Sequence, residues 1–442
     1  MAKSKFSYVC EACGAQSAKW SGQCAECLSW NTLVEIRAGS STAAPAEAVQ
    51  LSEVTDDADR RYPTGFDEFD RVLGGGLVPG SVVLIGGDPG VGKSTLLQQV
   101  SSRMAETQAT LYASGEESLK QVAQRAGRIA AGSADLRLVA DTSLDAILAK
   151  AGSVKVLVID SMQTMAVESS PSAPGSVAQL RECVARIVRF AKQNEISVFV
   201  IGHVTKEGTI AGPRLVEHMV DTVLYFENDP ASRYSMIRSV KNRFGASGEM
   251  GVFAMTEAGF REVSNPSAIF LSRETASGPG SVISVAWEGS RPLLVEIQAL
   301  VADGNGGYAK RLAQGIEQNR LALLLAVLQK HGDVELAQDD VFVNVVGGLK
   351  ISETAADLPT LLAVVSSFRD RPLKERLVSF GEIGLAGEVR PVRFGTERLS
   401  AAAKQGFETA IVPAANVPKK PPSGLRIEAV RTLSDALDAA SG

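Results

Sequence analysis

Four apolar runs recur through the first half of the chain: VVLI at 82–85, ATLYA at 109–113, KVLVID at 155–160 and ISVFVI at 196–201. Unbroken runs, rather than alternation, are what strands show when helices cover both faces of a parallel sheet. Between the last two, LRECVARIVRFAK repeats Leu180, Cys183, Val184, Ile187, Val188 and Ala191 at helical spacing, which predicts a helix with Cys183 packed in the core. SMIRSVKNRF alternates instead, and strand geometry then places Lys241 and Arg243 on one face. From about residue 265 the pattern changes to VISVAWEGSRPLLVEIQALV, a helix near 310–330 that contains the buried run LALLLAVL, then further alternating strands and helices.

A chain of 442 residues exceeds one ordinary core and predicts two to four domains. The expected boundaries are 1–37 for a cysteine-rich ribbon, 38–58 for a linker of small polar residues (AGSSTAAPAEAVQ), 59–264 for a nucleotide unit and 265–442 for a second α+β unit. No apolar run approaches the roughly 18 residues needed to span a bilayer, and MAKSKFSYVC has no apolar signal region, so a soluble cytoplasmic protein is expected. The net charge of −5 argues against a basic coat over the whole surface but allows a local basic channel.

Four of the five cysteines form two C-x2-C pairs, Cys10 with Cys13 and Cys24 with Cys27. In a reducing compartment such pairs aim four thiolates at one ion, which predicts a tetrahedral structural Zn2+ site with no open position. A segment this short cannot bury enough apolar surface to fold alone, so the metal supplies much of its stability. Trp20 and Trp30 are expected to pack its small core, with stacking on bases as the alternative.

The segment after the first run reads Gly87, Asp88, Pro89, Gly90, Val91, Gly92, Lys93, Ser94, Thr95 and opens an apolar-periodic helix. Strand, glycine loop and helix in that order form a phosphate loop, whose backbone N–H groups curl around phosphate at a helix N-terminus. ATP and Mg2+ are the implied ligands, with Lys93 on the β and γ phosphates and Ser94 on the metal. Asp160, ending its run, suits a Walker-B carboxylate. Glu116 is favoured over Glu117 as the base that activates water, and His203 is a candidate polar sensor of the γ phosphate. Lys241 and Arg243 follow the core strands and are expected at the sheet edge, too distant for their own phosphate loop. They suit a neighbour's, where cations supplied in trans stabilise the transferring phosphoryl group, the alternatives being a solvated hairpin face or a contact to DNA phosphate.

TGFDEFDRVLGGGLVPGSVVLIGGDPGVGKSTLL, HVTKEGTIAGPRLVEHMVDTVLYFE, VKNRFG and the four-cysteine ribbon together resemble the bacterial RadA (Sms) family of DNA-repair proteins across essentially the whole chain. That resemblance implies a RecA-like P-loop ATPase core that forms hexameric rings, binds single-stranded and branched DNA, and drives branch migration together with RecA. It also implies that two loops line the central channel, AVESSPSAPGS at 166–176 and TKEGTIAGPR at 205–214, with Lys206 and Arg214 tracking the DNA backbone.

GEIGLAGEVRPV makes the C-terminal third resemble the proteolytic domain of the ATP-dependent protease Lon. Where such domains carry a nucleophilic serine and its lysine, this chain reads Asp357-Leu-Pro-Thr360 and Arg393-Phe-Gly-Thr396, and the nearest cation, Arg398, stays protonated. An inactive Lon-like platform is expected, with Lys350, Arg369, Arg371, Lys374 and Arg376 as a candidate basic surface.

Overall fold

The computed structural model describes residues 6–10, 16–17, 19–37, 50, 60–129, 135–170, 172–202, 216–228, 234–267, 271, 278–304 and 309–441. The chain forms two compact units, Met1–Val263 and Ser264–Gly442.

The first unit opens with β1 (Phe6–Cys10), β2 (Gln16–Ser17) and β3 (Leu33–Arg37), an antiparallel sheet in the order β2-β1-β3. Cys10, Cys24 and Leu33 form its small core, with Tyr8 and Cys27 against them. Trp20 and Trp30 correct the sequence expectation, since they are 58% and 69% exposed. Both indole rings lie outside the core that Cys10, Cys24 and Leu33 make with Tyr8 and Cys27.

The nucleotide part follows as α1 (Asp67–Leu73), β4 (Val82–Gly86), α2 (Lys93–Ala105), β5 (Thr110–Ser114), α3 (Leu119–Arg128), β6 (Arg137–Ala140), α4 (Leu144–Ala151), β7 (Val156–Asp160), α5 (Val177–Asn194), β8 (Ser197–Ile201), β9 (Thr222–Asn228), β10 (Tyr234–Asn242), β11 (Met250–Thr256) and β12 (Gly259–Glu262). They build one nine-stranded sheet in the order β12-β11-β10-β9-β4-β8-β7-β5-β6. The strands from β9 to β6 in that order run parallel, whereas β10 to β12 extend the sheet as antiparallel hairpins. Alternate residues of β4 explain why its sequence is apolar throughout. Val83 and Ile85 join a core with Phe69, Leu97 and Val100, while Val82 and Leu84 join another with Leu180, Cys183 and Ile187. Cys183 is fully buried there, and burial pushes its thiol up to about 12.

β10 is not an edge strand, which corrects the sequence expectation for Lys241 and Arg243: two more strands continue the sheet beyond it. The pairing of β10 with β9 shifts between Ser239 and Lys241, and the strand stops at Asn242. Simple alternation therefore does not reach Arg243, because the irregularity and the strand end both reset the side-chain direction.

The second unit contains β13 (Ser281–Glu288), β14 (Arg291–Ala302), β15 (Arg311–Gln314), α6 (Gln318–His331), β16 (Asp340–Val345), α7 (Asp357–Phe368), β17 (Leu377–Ser379), β18 (Glu382–Ile383), β19 (Val389–Arg390), α8 (Gly395–Lys404), β20 (Thr409–Pro413), β21 (Arg426–Val430) and α9 (Leu433–Ser441). Its mixed sheet has the order β15-β16-β14-β13-β17-β20-β21. The helix expected from 310 begins only at Gln318, because Arg311–Gln314 pair in parallel with β16. Gly315 then turns the chain at φ +86, where a Cβ would lie 2.5 Å from the Val345 side chain. Within α6, Leu321, Leu324, Leu325 and Leu328 are buried and Leu323 faces out. No helix among the described residues is long and apolar enough to cross a membrane.

Candidate active site

β4 delivers the chain into the glycine loop and α2 receives it. Two glycines there are required by space as well as by backbone angle. Gly87 has φ +145 and a Cβ on it would lie 2.9 Å from the Phe226 Cβ; Gly92, which caps α2 at φ +104, would meet the Phe260 ring at 2.6 Å. Gly90, at φ +80, faces open space, so the loop crest has room for an oxygen-rich group. Asp88 is half-buried, Pro89 and Gly90 are exposed, and Val91 is buried. Lys93 is buried, and its ammonium donates to the carbonyls of Gly87 at 2.7 Å and Asp88 at 2.8 Å. Burial lowers its pKa, and Asp160, Asp88 and Glu116 pull it back up. Ser94 and Thr95 occupy the first turn of α2 and are half-buried.

The acids meet across parallel strands. Ser114 of β5 is in register with Asp160 of β7, so the segment after β5 passes beside the end of β7. Gly115 N–H donates to the Asp160 carbonyl at 2.7 Å, and a side chain at Gly115 would strike Thr164 at 2.1 Å. Asp160 is buried and accepts from the Tyr112 hydroxyl through Oδ2. Glu116 accepts from the Ser161 hydroxyl, whereas Glu117 turns to Arg125 at 2.5 Å. Ser118 caps α3 in a reciprocal box with Gln121. The two glutamates are thus separated by their contacts, with Glu116 beside Asp160 and within electrostatic reach of Lys93. A backbone cradle at a helix N-terminus, one ammonium, two hydroxyls and adjacent carboxylates fit ATP with Mg2+. Bound Mg2+ would neutralise charge on the phosphate oxygens. His203, Lys206 and Arg214 lie outside the described residues.

Lys241 and Arg243 sit at the other end of the sheet. Asn242 pairs with Thr222, which is level with Val83 near the start of β4, while the phosphate loop leaves the far end of β4. The Lys241 ammonium donates to the carbonyls of Glu217, His218 and Val220 at 3.0, 3.2 and 2.7 Å. Burial and the Arg243 charge lower its pKa. Arg243 is half-exposed and pairs at 3.1 Å with Asp221, a buried acid that also accepts from Val82 N–H and lies 3.6 Å from Lys192. Two neighbouring residues are structural: Asn242 donates to the Leu73 carbonyl at the end of α1, and a Cβ at Gly245 would come within 2.8 Å of the Gly74 Cα.

In the ribbon, the Cys10, Cys24 and Cys27 sulfurs lie within 4.8 Å of one another, with Cys10 and Cys27 3.6 Å apart. Thiolates around tetrahedral zinc at ~2.3 Å are separated by about 3.8 Å, so this donor set fits structural Zn2+. Cys13 lies outside the described residues.

At the positions that the sequence reading compared with a Lon-type dyad, the side chains of Thr360, Asp357 and Arg398 are engaged in structural contacts. Thr360 is fully buried and donates to the Ala356 carbonyl at 2.6 Å. Asp357, whose pKa burial raises, accepts from Arg320 at 2.9 Å and from Ile383 N–H at 3.1 Å. Arg398, 1% exposed, forks onto Glu353 at 2.9 and 2.6 Å and donates to the carbonyls of Arg393 and Val285 beneath Trp287. Arg398→Ala would remove the guanidinium from Glu353 and these carbonyls, leaving Glu353 the Trp287 backbone N–H at 2.6 Å, and is expected to destabilise the unit by about 3 kcal/mol. A lower urea midpoint of Trp287 fluorescence, in a Trp20→Phe, Trp30→Phe background, checks it.

Tyr112, Arg125, Ser161 and Asp221 had no sequence signal, because each gains its place from a partner on a distant strand or helix.

The profile described as AAA domain matches residues 46–209, that of the Rubredoxin metal binding domain matches 8–35, and that of Subunit ChlI of Mg-chelatase matches 317–416. Among solved structures, the flagellar accessory protein FlaH from Methanocaldococcus jannaschii covers 46% of this chain and 98% of its own, at 14% identity and a TM-score of 0.38. The RadB recombinase covers 46% of this chain and 100% of its own, at 21% identity and a TM-score of 0.37. At these scores neither neighbour bears on the chemistry. Whole-chain relatives are much closer. The DNA repair protein RadA of Salmonella typhimurium is 53% identical over 99% of both chains, as is that of Escherichia coli, and that of Bacillus subtilis is 45% identical over 100% of both. With a phosphate loop, a thiolate cluster and this identity along its whole length, the chain belongs to the RadA family of DNA-repair proteins, RecA-like ATPases with an N-terminal zinc ribbon.

Proposed function

We propose that the protein is an ATP-driven translocase on single-stranded DNA, assembled as a hexameric ring, that drives branch migration of recombination intermediates together with RecA. Each nucleotide site is shared between neighbours. One subunit supplies the phosphate loop Gly87–Thr95, with Lys93 and Ser94, the Asp160 carboxylate, Glu116 as base and His203 as sensor. The next supplies Lys241 and Arg243. The observation that carries this reading is the placement of the two cations at the end of the sheet opposite their own phosphate loop. Cations so placed cannot serve their own nucleotide, and a ring brings them to a neighbour's.

The loops at 166–176 and 205–214, with Lys206 and Arg214, contact the DNA backbone in the channel. The working parts are residues 1–37, 38–58, 59–264 and 265–442. The last is a platform without peptidase activity, since Thr360 is sealed on a backbone carbonyl and Arg398 is spent on Glu353. ATP turnover with and without single-stranded DNA tests the motor. The expected result is at least a severalfold acceleration by DNA; a flat rate would leave a scaffold that ATP merely assembles.

A further inference from the structure

We infer that Arg125 and Tyr112 are positioning residues of the hydrolysis site, a single buried guanidinium fixing Asp160 and the Glu116-bearing segment relative to one another. The inference rests on the reading of Asp160 and Glu116 given above. Arg125 reaches inward from α3 with a side chain only 10% exposed. Its Nε donates to Gln98 Oε1 at 2.6 Å, its Nη1 lies 2.5 Å from Glu117, and its Nη2 donates to the Tyr112 hydroxyl at 3.3 Å and lies 3.9 Å from Asp160 Oδ2. Gln98 belongs to α2, whose first turn carries Lys93, and its amide donates to the Val122 carbonyl at 2.8 Å. One cation thus joins the phosphate-loop helix, the segment after β5 and the end of β7.

The direction of the hydrogen bonds follows from donor chemistry. A guanidinium only donates, so the Tyr112 oxygen accepts from Arg125 and its proton points to Asp160 Oδ2. Tyr112 is fully buried, and burial beside Asp160 raises its pKa well above 10, so it remains a donor. Asp160 is consequently held in one rotamer through Oδ2. On the other side, Arg125 holds Glu117, whose neighbour Glu116 is anchored on Ser161. Outer-shell partners of this kind change metal affinity or activity by about 10–100-fold when removed.

Tyr112→Phe removes a single oxygen and leaves the ring in the core. The measurement is the affinity of the full-length protein for a fluorescent ATP analogue with Mg2+ and with EDTA, alongside kcat, KM and the urea midpoint. Tyr112→Phe is expected to cut the Mg2+-dependent gain in affinity about tenfold and kcat by a similar factor, with the EDTA affinity unchanged. Arg125→Met should reproduce the loss, and adding Tyr112→Phe to it should change the Mg2+ gain little further. A lower urea midpoint with the Mg2+ gain and kcat intact in Tyr112→Phe would reduce the pair to structural residues and overturn the inference. Asp160→Asn separates the two levels. If it keeps the full Mg2+ gain, the reading of the site fails and the inference with it; if it loses the gain while Tyr112→Phe does not, the inference alone fails.

Discussion

Lys241→Ala is expected to lower DNA-stimulated ATP turnover by about 10^3-fold, because a cation supplied in trans contributes roughly 10^3 to 10^5 in rate to phosphoryl transfer. Nucleotide affinity should change little, since in the proposed shared site the phosphate loop, Lys93 and the acids belong to the neighbouring subunit. Lys241 also has a local role, however. Its ammonium satisfies three carbonyls between Glu217 and Val220, so its loss carries a stability cost of about 1 kcal/mol for each bond left unmade. Arg243 separates the two effects. Its half-exposed guanidinium pairs with the Asp221 carboxylate, so Arg243→Ala should cost less stability than Lys241→Ala while still lowering turnover by at least tenfold. Turnover measured with the urea midpoint for both variants checks this. If the loss of rate tracks the loss of stability, the cations are merely structural.

Removal of zinc should have the second large effect. The described ribbon has a core of two cysteines and one leucine, with Tyr8 and Cys27 packed against it. Apolar burial on that scale cannot offset the entropy of ordering some thirty residues at about 1–2 kcal/mol each, so thiolate ligation has to supply on the order of 10 kcal/mol. Cys24→Ser, or a strong chelator, is therefore expected to unfold the ribbon while the nucleotide unit keeps its structure. Protease cleavage confined to residues 1–59, with nucleotide affinity retained, would be the signature. A ribbon that resists protease without metal would show that other contacts hold it. The exposed Trp20 and Trp30 are consistent with metal-centred packing, because neither ring is drawn into the core.

Four parallel strands of the nucleotide sheet, β4, β5, β7 and β8, were readable because they are buried throughout and so appear as apolar runs with glycine or acid at their ends, whereas β6, a partly exposed edge strand, left no such run. Cys183 was readable as core for a different reason, the helical spacing of its apolar neighbours in α5. The antiparallel extension was not. β11 and β12 resemble any exposed hairpin, so the sequence suggested an edge for Lys241 and Arg243, and the irregular pairing after Ser239 leaves no trace in residue type. Asn242 and Gly245 looked like parts of a charged motif but owe their identity to close packing against the end of α1. Tyr112 and Arg125 were invisible for another reason. Tyr112 counts as one more apolar strand residue and Arg125 as a helix-surface cation until the fold brings them to Asp160. In the second unit, β15 was absorbed into a helix because RLAQ alternates too briefly to establish a period.

Mixing two inactive variants tests the shared site most directly. Lys93→Ala destroys a subunit's own phosphate loop but keeps its cations, and Lys241→Ala does the reverse. In a ring with head-to-tail interfaces, an equal mixture places an intact loop against an intact lysine at about a quarter of the junctions. ATP turnover of the mixture should rise to about that fraction of the unaltered protein, from near zero for either variant alone. A mixture that forms rings and stays as inactive as its components would contradict the account.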